Sequence, residues 1–319
     1  MNGPELCVIF NPRSGGDRAR ARFERLRQVL GATAVVWETE GAGHGEELAM
    51  QAARSGFERV AAAGGDGTVH EVANGILLAN RPQIIMEVYP VGSANDYAHT
   101  LGLDPEWRIR SDPAVGVQTV DVGVVSSPDG RQRYFVNGIG IGINGIVNLE
   151  ARRLKKRRKL QGLALYGTAL LRAMCLRYEH PPMLVDLDGA RRQVQTLALT
   201  LAIGRREGNF VMAPNAILDD GLFDYLHAGP MGRLELLWNV PRLATGWLPF
   251  GNPYLRRGRC RRVRVHSSKP IPFHIDGELF TELEKPVTEL QIEVIPAALR
   301  VMVRQTAPLV DKPSGNGLQ

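Results

Sequence analysis

The sequence predicts an α/β domain with a parallel sheet, followed by a β-rich domain. Three observations predict this. Over the first ~115 residues short apolar runs alternate with amphipathic stretches, the order that a parallel sheet with helices on its faces requires. The segment Arg59–Gly75 reads as a strand, a glycine-rich turn and a helix. Beyond Val117 strand-like runs dominate, and several meet at Asp-Gly steps, the chemistry of tight hairpins.

The elements follow in order. Leu6–Phe10 is a buried strand and Asn11–Gly16 a turn, then comes a helix with Phe23, Leu26 and Leu30 on one face. Ala34–Trp37 is a second strand, Gly45–Arg54 a helix, Arg59–Ala63 a third strand, Val69–Ala79 a helix and Ile84–Tyr89 a fourth strand. The β-rich part runs through Thr119–Val125, Arg133–Asn137, Leu184–Leu187, Val194–Ile203, Leu222–His227, Val263–His266, Pro272–Ile275 and Leu290–Ile295, with a helical insertion at Asn144–Arg177. These patterns set boundaries at residues 1–116 and 117–305, with a polar tail at 306–319.

The chemistry centres on Gly64-Gly-Asp-Gly-Thr68. A strand ending in such a turn presents a bare helix N-terminus, whose unpaired N–H groups and positive dipole end attract an anion. Gly64, Gly65 and Gly67 remove the side chains that keep a phosphate from the backbone. Asp66 inside the turn would repel phosphate unless a divalent cation lay between them. No Gly-Lys-Ser/Thr follows, so this is not a P-loop. Thr68-Val-His-Glu71 also reads as a capping box that only starts the helix. Ligands of parallel sheets sit at the strands' carboxyl ends, so Asn11–Gly16, Gly64–Thr68 and Pro90–Tyr97, joined by Thr39, are expected to form one nucleotide cleft.

Other signals are weaker. Gly140-Ile-Gly-Ile-Asn-Gly145 matches the dinucleotide fingerprint, but the acidic residue expected ~20 positions later is replaced by a basic run. Close backbone packing is the better reading of those glycines. Asp129-Gly130 and Asp188-Gly189 are plain turns, whereas Phe273-His-Ile-Asp-Gly-Glu278 sets two carboxylates among apolar residues. The acid-rich loop Asp219–Asp224 suits either a hard cation or a solvated turn.

The 319 residues carry a net charge of +6, which favours an anionic partner. Cys7, Cys175 and Cys260 are too few and too scattered for a disulfide framework or a zinc site, as expected in a reducing cytosol. No signal peptide is expected at Met1–Phe10, and Arg172 ends the apolar run Gly162–Leu171 short of the ~20 residues of a span. Arg152, Arg153, Lys155, Lys156, Arg157, Arg158 and Lys159 form a cluster suited to an anionic membrane surface. Arg256–Arg264 is a second basic stretch. The expectation is a cytoplasmic protein peripherally bound to membrane, with no nucleic-acid partner and with a homodimer admitted.

Together Asn11-Pro-x-Ser-Gly15, Gly64-Gly-Asp-Gly-Thr-Val-His-Glu-Val-x-Asn-Gly75, Gly92-Ser-Ala-Asn-Asp96, Val120-Asp-Val-Gly123, Asp220-Gly and Ile275-Asp-Gly-Glu278 resemble the diacylglycerol kinase catalytic-domain family. That family includes bacterial lipid kinases and sphingosine and ceramide kinases, and the resemblance runs from Leu6 to Val303. Ser93 stands where Thr is usual, and Tyr97 where Phe is common. The resemblance implies an NAD-kinase-like α/β domain, a β-sandwich-like domain behind it, and an active site between them. It implies ATP and Mg²⁺, with phosphoryl transfer to a lipid hydroxyl such as that of diacylglycerol. A sphingoid base or another lipid alcohol is the alternative acceptor, and a soluble metabolite a more distant one. Asn11, Ser14, Gly15, Thr39, Gly64, Gly65, Gly67, Thr68, Glu71, Gly92, Ser93 and Asn95 would hold ATP. Asp66, Asp96 and Asp121 would organise Mg²⁺, and Asp220 with the Ile217 and Leu222 carbonyls would hold a structural cation. The general base would be Asp276, with Glu278 beside it, or else Asp66.

Overall fold

The computed structural model describes residues 5–15, 17–93, 95–157, 162–208, 210–245, 251–278 and 286–305. Four parallel strands, β1 (Leu6–Phe10), β2 (Ala34–Glu38), β3 (Arg59–Gly64) and β4 (Ile85–Pro90), lie in the order β2-β1-β3-β4. Helices α1 (Asp17–Leu30), α2 (His44–Arg54), α3 (Asp66–Leu78) and α4 (Asp96–Thr100) follow the strands in turn. Phe10 pairs with both Glu38 and Ala63, and Gly64 with Pro90, so the strands end level. Their four outgoing loops therefore share one edge. β3 is Arg-Val-Ala-Ala-Ala-Gly, and its small side chains let α2 and α3 pack close: Ala61, Ala62 and Ala63 are fully buried.

The second unit is a sandwich. One sheet continues from β4 through β17 (Glu289–Arg304), β15 (Arg262–Ser267), β8 (Pro182–Leu187) and β9 (Ala190–Gln195). β5 (Val115–Ser126) pairs with β17 and with β6 (Gln132–Phe135). The other sheet has the order β14-β13-β10-β7-β16, formed by Leu255–Cys260, Phe223–Ala228, Ala198–Ala202, Gly138–Gly142 and Phe273–Ile275. Ile139, Ile141, Leu201, Phe223, Phe273, Val263 and Ile292 interdigitate between the sheets, each about 1.5–3 kcal/mol of burial. Helices α5 (Ile143–Arg157), α6 (Gly162–Leu176) and α7 (Arg233–Thr245) and the short ribbon of β11 (Arg206–Glu207) and β12 (Phe210–Val211) complete it.

The structure changes several expectations. The run Val194–Ile203 divides between β9 and β10, which belong to different sheets. Leu290–Ile295 is only the first part of β17, which continues past a bulge between Ile295 and Leu299. Before the bulge Leu290 and Ile292 fill the sandwich core; after it Leu299, Val301 and Val303 enter the N-terminal core, where Val301 pairs with Met86 of β4. The boundary at 116 thus cuts a continuous sheet, because the last strand returns to finish the first core. The Gly140–Gly145 segment is an antiparallel strand leading into α5, as its close-packing reading requires. A Cβ on Gly145 would lie 2.5 Å from the Phe273 nitrogen. The Asp188-Gly189 and Asp276-Gly277 steps are turns with both residues at positive φ, and Gly130 adopts φ 84°. The tail at 306–319 and the side chains of Lys155–Lys159 lie outside the described residues.

Candidate active site

The level ends of the parallel strands bring the predicted loops together. Asn11 Nδ2 donates to Thr68 Oγ1 at 3.1 Å, and Val91 and Gly92 both donate backbone N–H groups to the Gly64 carbonyl at 3.1 Å. A Cβ on Gly92 would sit inside contact distance of Gly65 Cα, so only glycine lets these two turns touch. Asn95 adopts a left-handed conformation at φ 55° that starts α4 pointing at Asp66. The resulting cleft, about 960 Å³, is lined by Asn11, Ser14, Gly15, Thr39, Gly65, Asp66, Gly67, Thr68, Glu71, Ser93, Asp96, Asp276 and Glu278.

α3 begins at Asp66 with Gly65 as its N-cap and no side-chain cap, so its first N–H groups face the cleft unclaimed by the helix. The capping-box reading of Thr68 and Glu71 is thereby overturned. Glu71 instead accepts the Gly43 and Gly45 N–H groups at 2.7 and 2.9 Å and fixes the entry to α2. Asp66 accepts the Tyr97 N–H at 3.1 Å, with Asp96 and Asn95 N–H groups adding. Its carboxyl is nevertheless raised, chiefly by burial and further by the charge of Asp276.

Asp276 is buried in its hairpin at φ 49°. Its Oδ1 accepts the Asn137 and Gly138 N–H groups at 2.8 and 3.0 Å; its Oδ2 accepts Val136 N–H at 3.0 Å and His70 Nδ1–H at 2.9 Å. Three backbone donors and the His70 ring thus surround the two oxygens of this carboxylate. It clamps α3 to the sandwich. The Glu278 side chain differs: it is exposed over the glycine turn, and a Cβ on Gly67 would meet its Oε1 at 2.7 Å.

Asp121 does not join Asp66 and Asp96. It is buried behind the cleft, accepting Gly221 N–H at 2.6 Å and Ala297 N–H at 2.9 Å, and so fastens the β17 bulge to the Asp220 loop. Asp220, Ile217 and Leu222 also lie off the cleft lining. Asp220 Oδ1 accepts Leu222 N–H at 3.1 Å, while its buried Oδ2 has no hydrogen-bond donor and faces Arg259 at 3.3 Å. That oxygen fits a cation, and the guanidinium already supplies one charge.

Sequence reading missed Tyr166 and Glu207, which no motif marks, and His274, which lies inside the Phe273–Glu278 motif but was not singled out. Burial pushes the Tyr166 phenol up to about 12, and the carboxylates of Asp96, Asp66, Glu207 and Glu278 add to it, so these acids converge on one ring. Among the described residues no group of three or more His, Cys, Asp or Glu side chains is arranged to hold a metal. A Mg²⁺ bound by one or two carboxylates plus nucleotide phosphates needs none, and Asp66 and Asp96, both on the cleft wall, are the carboxylates that fit such an ion. Tyr166, Glu207, Gly208 and Gly277 also border a second cavity of about 470 Å³, walled by residues such as Val147, Leu170, Leu226, Met231, Leu236 and Val240. At its inner end His274 Nε2 lies 2.6 Å from Glu207 Oε1, and the buried His274 Nδ1 has no partner. Asn144 Nδ2 donates to Thr200 Oγ1 at 2.8 Å beside them.

A cleft at the ends of the parallel strands that shares four lining residues with an apolar cavity has the layout of a kinase-like fold, and comparison with known proteins bears on which kind. The profile described as diacylglycerol kinase catalytic domain matches residues 5–125, and that of the YegS C-terminal NAD kinase beta sandwich-like domain matches 137–303. The chain belongs to the diacylglycerol kinase and YegS-like family of lipid kinases. It is 31% identical to a probable lipid kinase YegS-like of Chromohalobacter salexigens, over 86% of each chain. Identity to the diacylglycerol kinase of Bacillus subtilis is 28%, covering 85% of this chain and 88% of that one. In fold it is similar to a putative diacylglycerol kinase from Bacillus anthracis, with TM-score 0.74, 20% identity and coverage of 97% and 100%. Yeast NADH kinase is a more distant structural neighbour, at TM-score 0.50 and 11% identity, covering 96% of this chain and 85% of that one.

Proposed function

We propose that the protein transfers the γ-phosphoryl group of ATP to a lipid hydroxyl, with a diacylglycerol-like acceptor and phosphatidic acid as product. The observation that carries this reading is the apolar cavity that adjoins the cleft, the two sharing Tyr166, Glu207, Gly208 and Gly277. A soluble acceptor would not need it. The α3 N-terminus and the Gly65–Thr68 and Gly92–Asn95 backbones cradle the phosphates, and Asn11, Ser14 and Thr39 line the nucleotide side. Asp66 and Asp96 would hold Mg²⁺ together with the phosphates, and the ion would supply charge neutralisation for the transferring group. The acyl chain lies along α7 and β14, and its polar head meets Asn144, Thr200 and the His274–Glu207 pair.

In the reaction the acceptor oxygen bonds to the γ-phosphorus as the bond to the β–γ bridging oxygen breaks. The hydroxyl proton passes to a carboxylate at the turn. Glu278, exposed over the turn, is placed to receive it, and Asp276 holds the hairpin in place. Alignment and charge neutralisation supply most of the rate, and a base contributes ~10²–10⁴-fold.

The test incubates the protein with labelled ATP, Mg²⁺ and a total lipid extract and identifies the labelled species. A labelled glycerolipid supports the reading, and a labelled sphingoid base or prenol moves the acceptor. EDTA-resistant transfer, or transfer only to soluble acceptors, overturns it.

A further inference from the structure

Helix α7 is apolar on two opposite faces. Its inner face sends Leu236 and Val240 into the amphiphile cavity. Its outer face exposes Leu234, Leu237 and Trp238 by 84%, 39% and 68%, positions i, i+3 and i+4 that form one stripe. An exposed apolar stripe of this kind marks an interaction surface, and nothing among the described residues covers it. The end of α6 lies beside it: Arg233 Nε donates to the Met174 carbonyl at 3.0 Å, and Tyr178 Oη donates to the Met231 carbonyl at the same distance. There Leu171 and Leu176 are also more than half exposed.

Charge identifies the occupant. Arg242 stacks at 4.3 Å on Trp238, a member of the stripe, and the exposed Arg233 at the start of the helix stacks on Tyr178 at 5.1 Å. Arg256 is exposed on β14, where Leu255 lines the same cavity. Leucines, a tryptophan and flanking arginines are the composition of a helix lying in a membrane interface. A protein partner would be satisfied by the apolar stripe alone. An anionic bilayer also accounts for the arginines and for an apolar cavity directly behind the helix.

We infer that α7 is an interfacial helix, whose Leu234–Leu237–Trp238 stripe inserts into an anionic bilayer so that the cavity behind it opens to lipid. Apolar insertion resists salt, whereas purely electrostatic attachment does not. The inference rests on the lipid-kinase reading only for the purpose of the docking, not for the binding itself.

The test measures co-sedimentation of the full chain with vesicles of phosphatidylcholine alone and of phosphatidylcholine with phosphatidylglycerol, at low and high salt. The comparison protein is Leu234→Ser/Trp238→Ser, two exposed positions outside the cavity lining, with melting temperature checked. Wild type is expected to prefer the anionic vesicles and to keep part of its binding at high salt. The variant is expected to lose binding roughly tenfold or more, to melt with wild type, and to turn over a short-chain acceptor in solution normally while losing turnover on vesicle-borne acceptor. A blue shift of tryptophan emission on vesicles, absent from Trp238→Phe, is expected too. Equal vesicle binding by variant and wild type overturns the inference, as does a wild-type dimer that the variant abolishes without change in vesicle binding. Intact stripe-dependent binding with no phosphorylation of any lipid would instead overturn the kinase reading.

Discussion

At the scale of single residues the acids of the cleft divide by what holds them. Asp66 has a raised carboxyl, so the fold favours its protonated form. That contribution is full below the unfolded pKa and is lost as pH rises through the folded one; at neutral pH the ionised group therefore costs stability. Asp66→Asn is expected to raise the melting temperature of the nucleotide-free protein at pH 7, a gain that shrinks as pH falls into the carboxylate range, and to abolish Mg²⁺-dependent turnover. Calorimetry across pH beside an activity assay checks both. Glu278 and Asp276 should part in the opposite way. Asp276→Asn removes acceptors from a buried four-donor network and is expected to destabilise by about 1.5–3 kcal/mol. Glu278→Gln, at an exposed carboxylate, should leave melting unchanged while kcat falls ~10²–10⁴-fold. Denaturant titration and steady-state kinetics on the two variants decide it. Equal loss of activity without destabilisation in Asp276→Asn would return the proton to that residue.

At the scale of elements the site depends on two turns in contact. Gly92→Ala would press a methyl group against the Gly65 backbone, which cannot yield as a flexible side chain does. We expect about 1–3 kcal/mol of destabilisation and loss of nucleotide affinity with vesicle binding intact, measured by thermal melting and calorimetric ATP titration. Strand β13 offers a pH readout of the sandwich. His227, held at 3.1 Å from Thr196 Oγ1, is pushed down to about 4 by burial, with Arg256 adding to the effect. A histidine depressed in the fold stabilises it fully above the unfolded pKa, and that contribution drains as pH falls toward 4. Melting temperature should therefore drop between about pH 6.5 and 4, and His227→Gln should flatten that slope.

At the scale of the whole molecule the two units share a strand. β17 leaves the sandwich core at its bulge and completes the N-terminal core with Leu299, Val301 and Val303. A fragment of residues 1–116 would expose that sheet edge and lack six buried side chains from its core, Val120, Val122, Val136, Leu299, Val301 and Val303. It is expected to show no cooperative unfolding transition, whereas the same fragment with the 289–305 strand supplied as a peptide should regain one. Circular dichroism on thermal melting checks this. The arrangement also couples the halves, since Asp121 of β5 holds both the bulge and the Asp220 loop.

How much was legible from the chain follows from the range of each interaction. Strand, glycine turn and helix at Arg59–Gly75 depend on local backbone geometry and on apolar period, so order and spacing alone reveal them. The convergence of the Asn11, Gly64 and Gly92 loops followed from one topological rule about parallel strands. The fates of Asp121, Asp276 and Glu71 could not be read that way. Each is an acid beside a glycine motif, and whether it faces phosphate or is filled by N–H donors depends on partners 26 to 176 residues away. Glu207 and Tyr166 carry no local signature, and His274 is one residue of a longer motif, because only the packing of the β11–β12 ribbon, strand β16 and helix α6 makes them neighbours. The same holds for α7: no expectation placed a helix there, and the tertiary structure alone decides that one face walls a cavity while the other carries the exposed stripe.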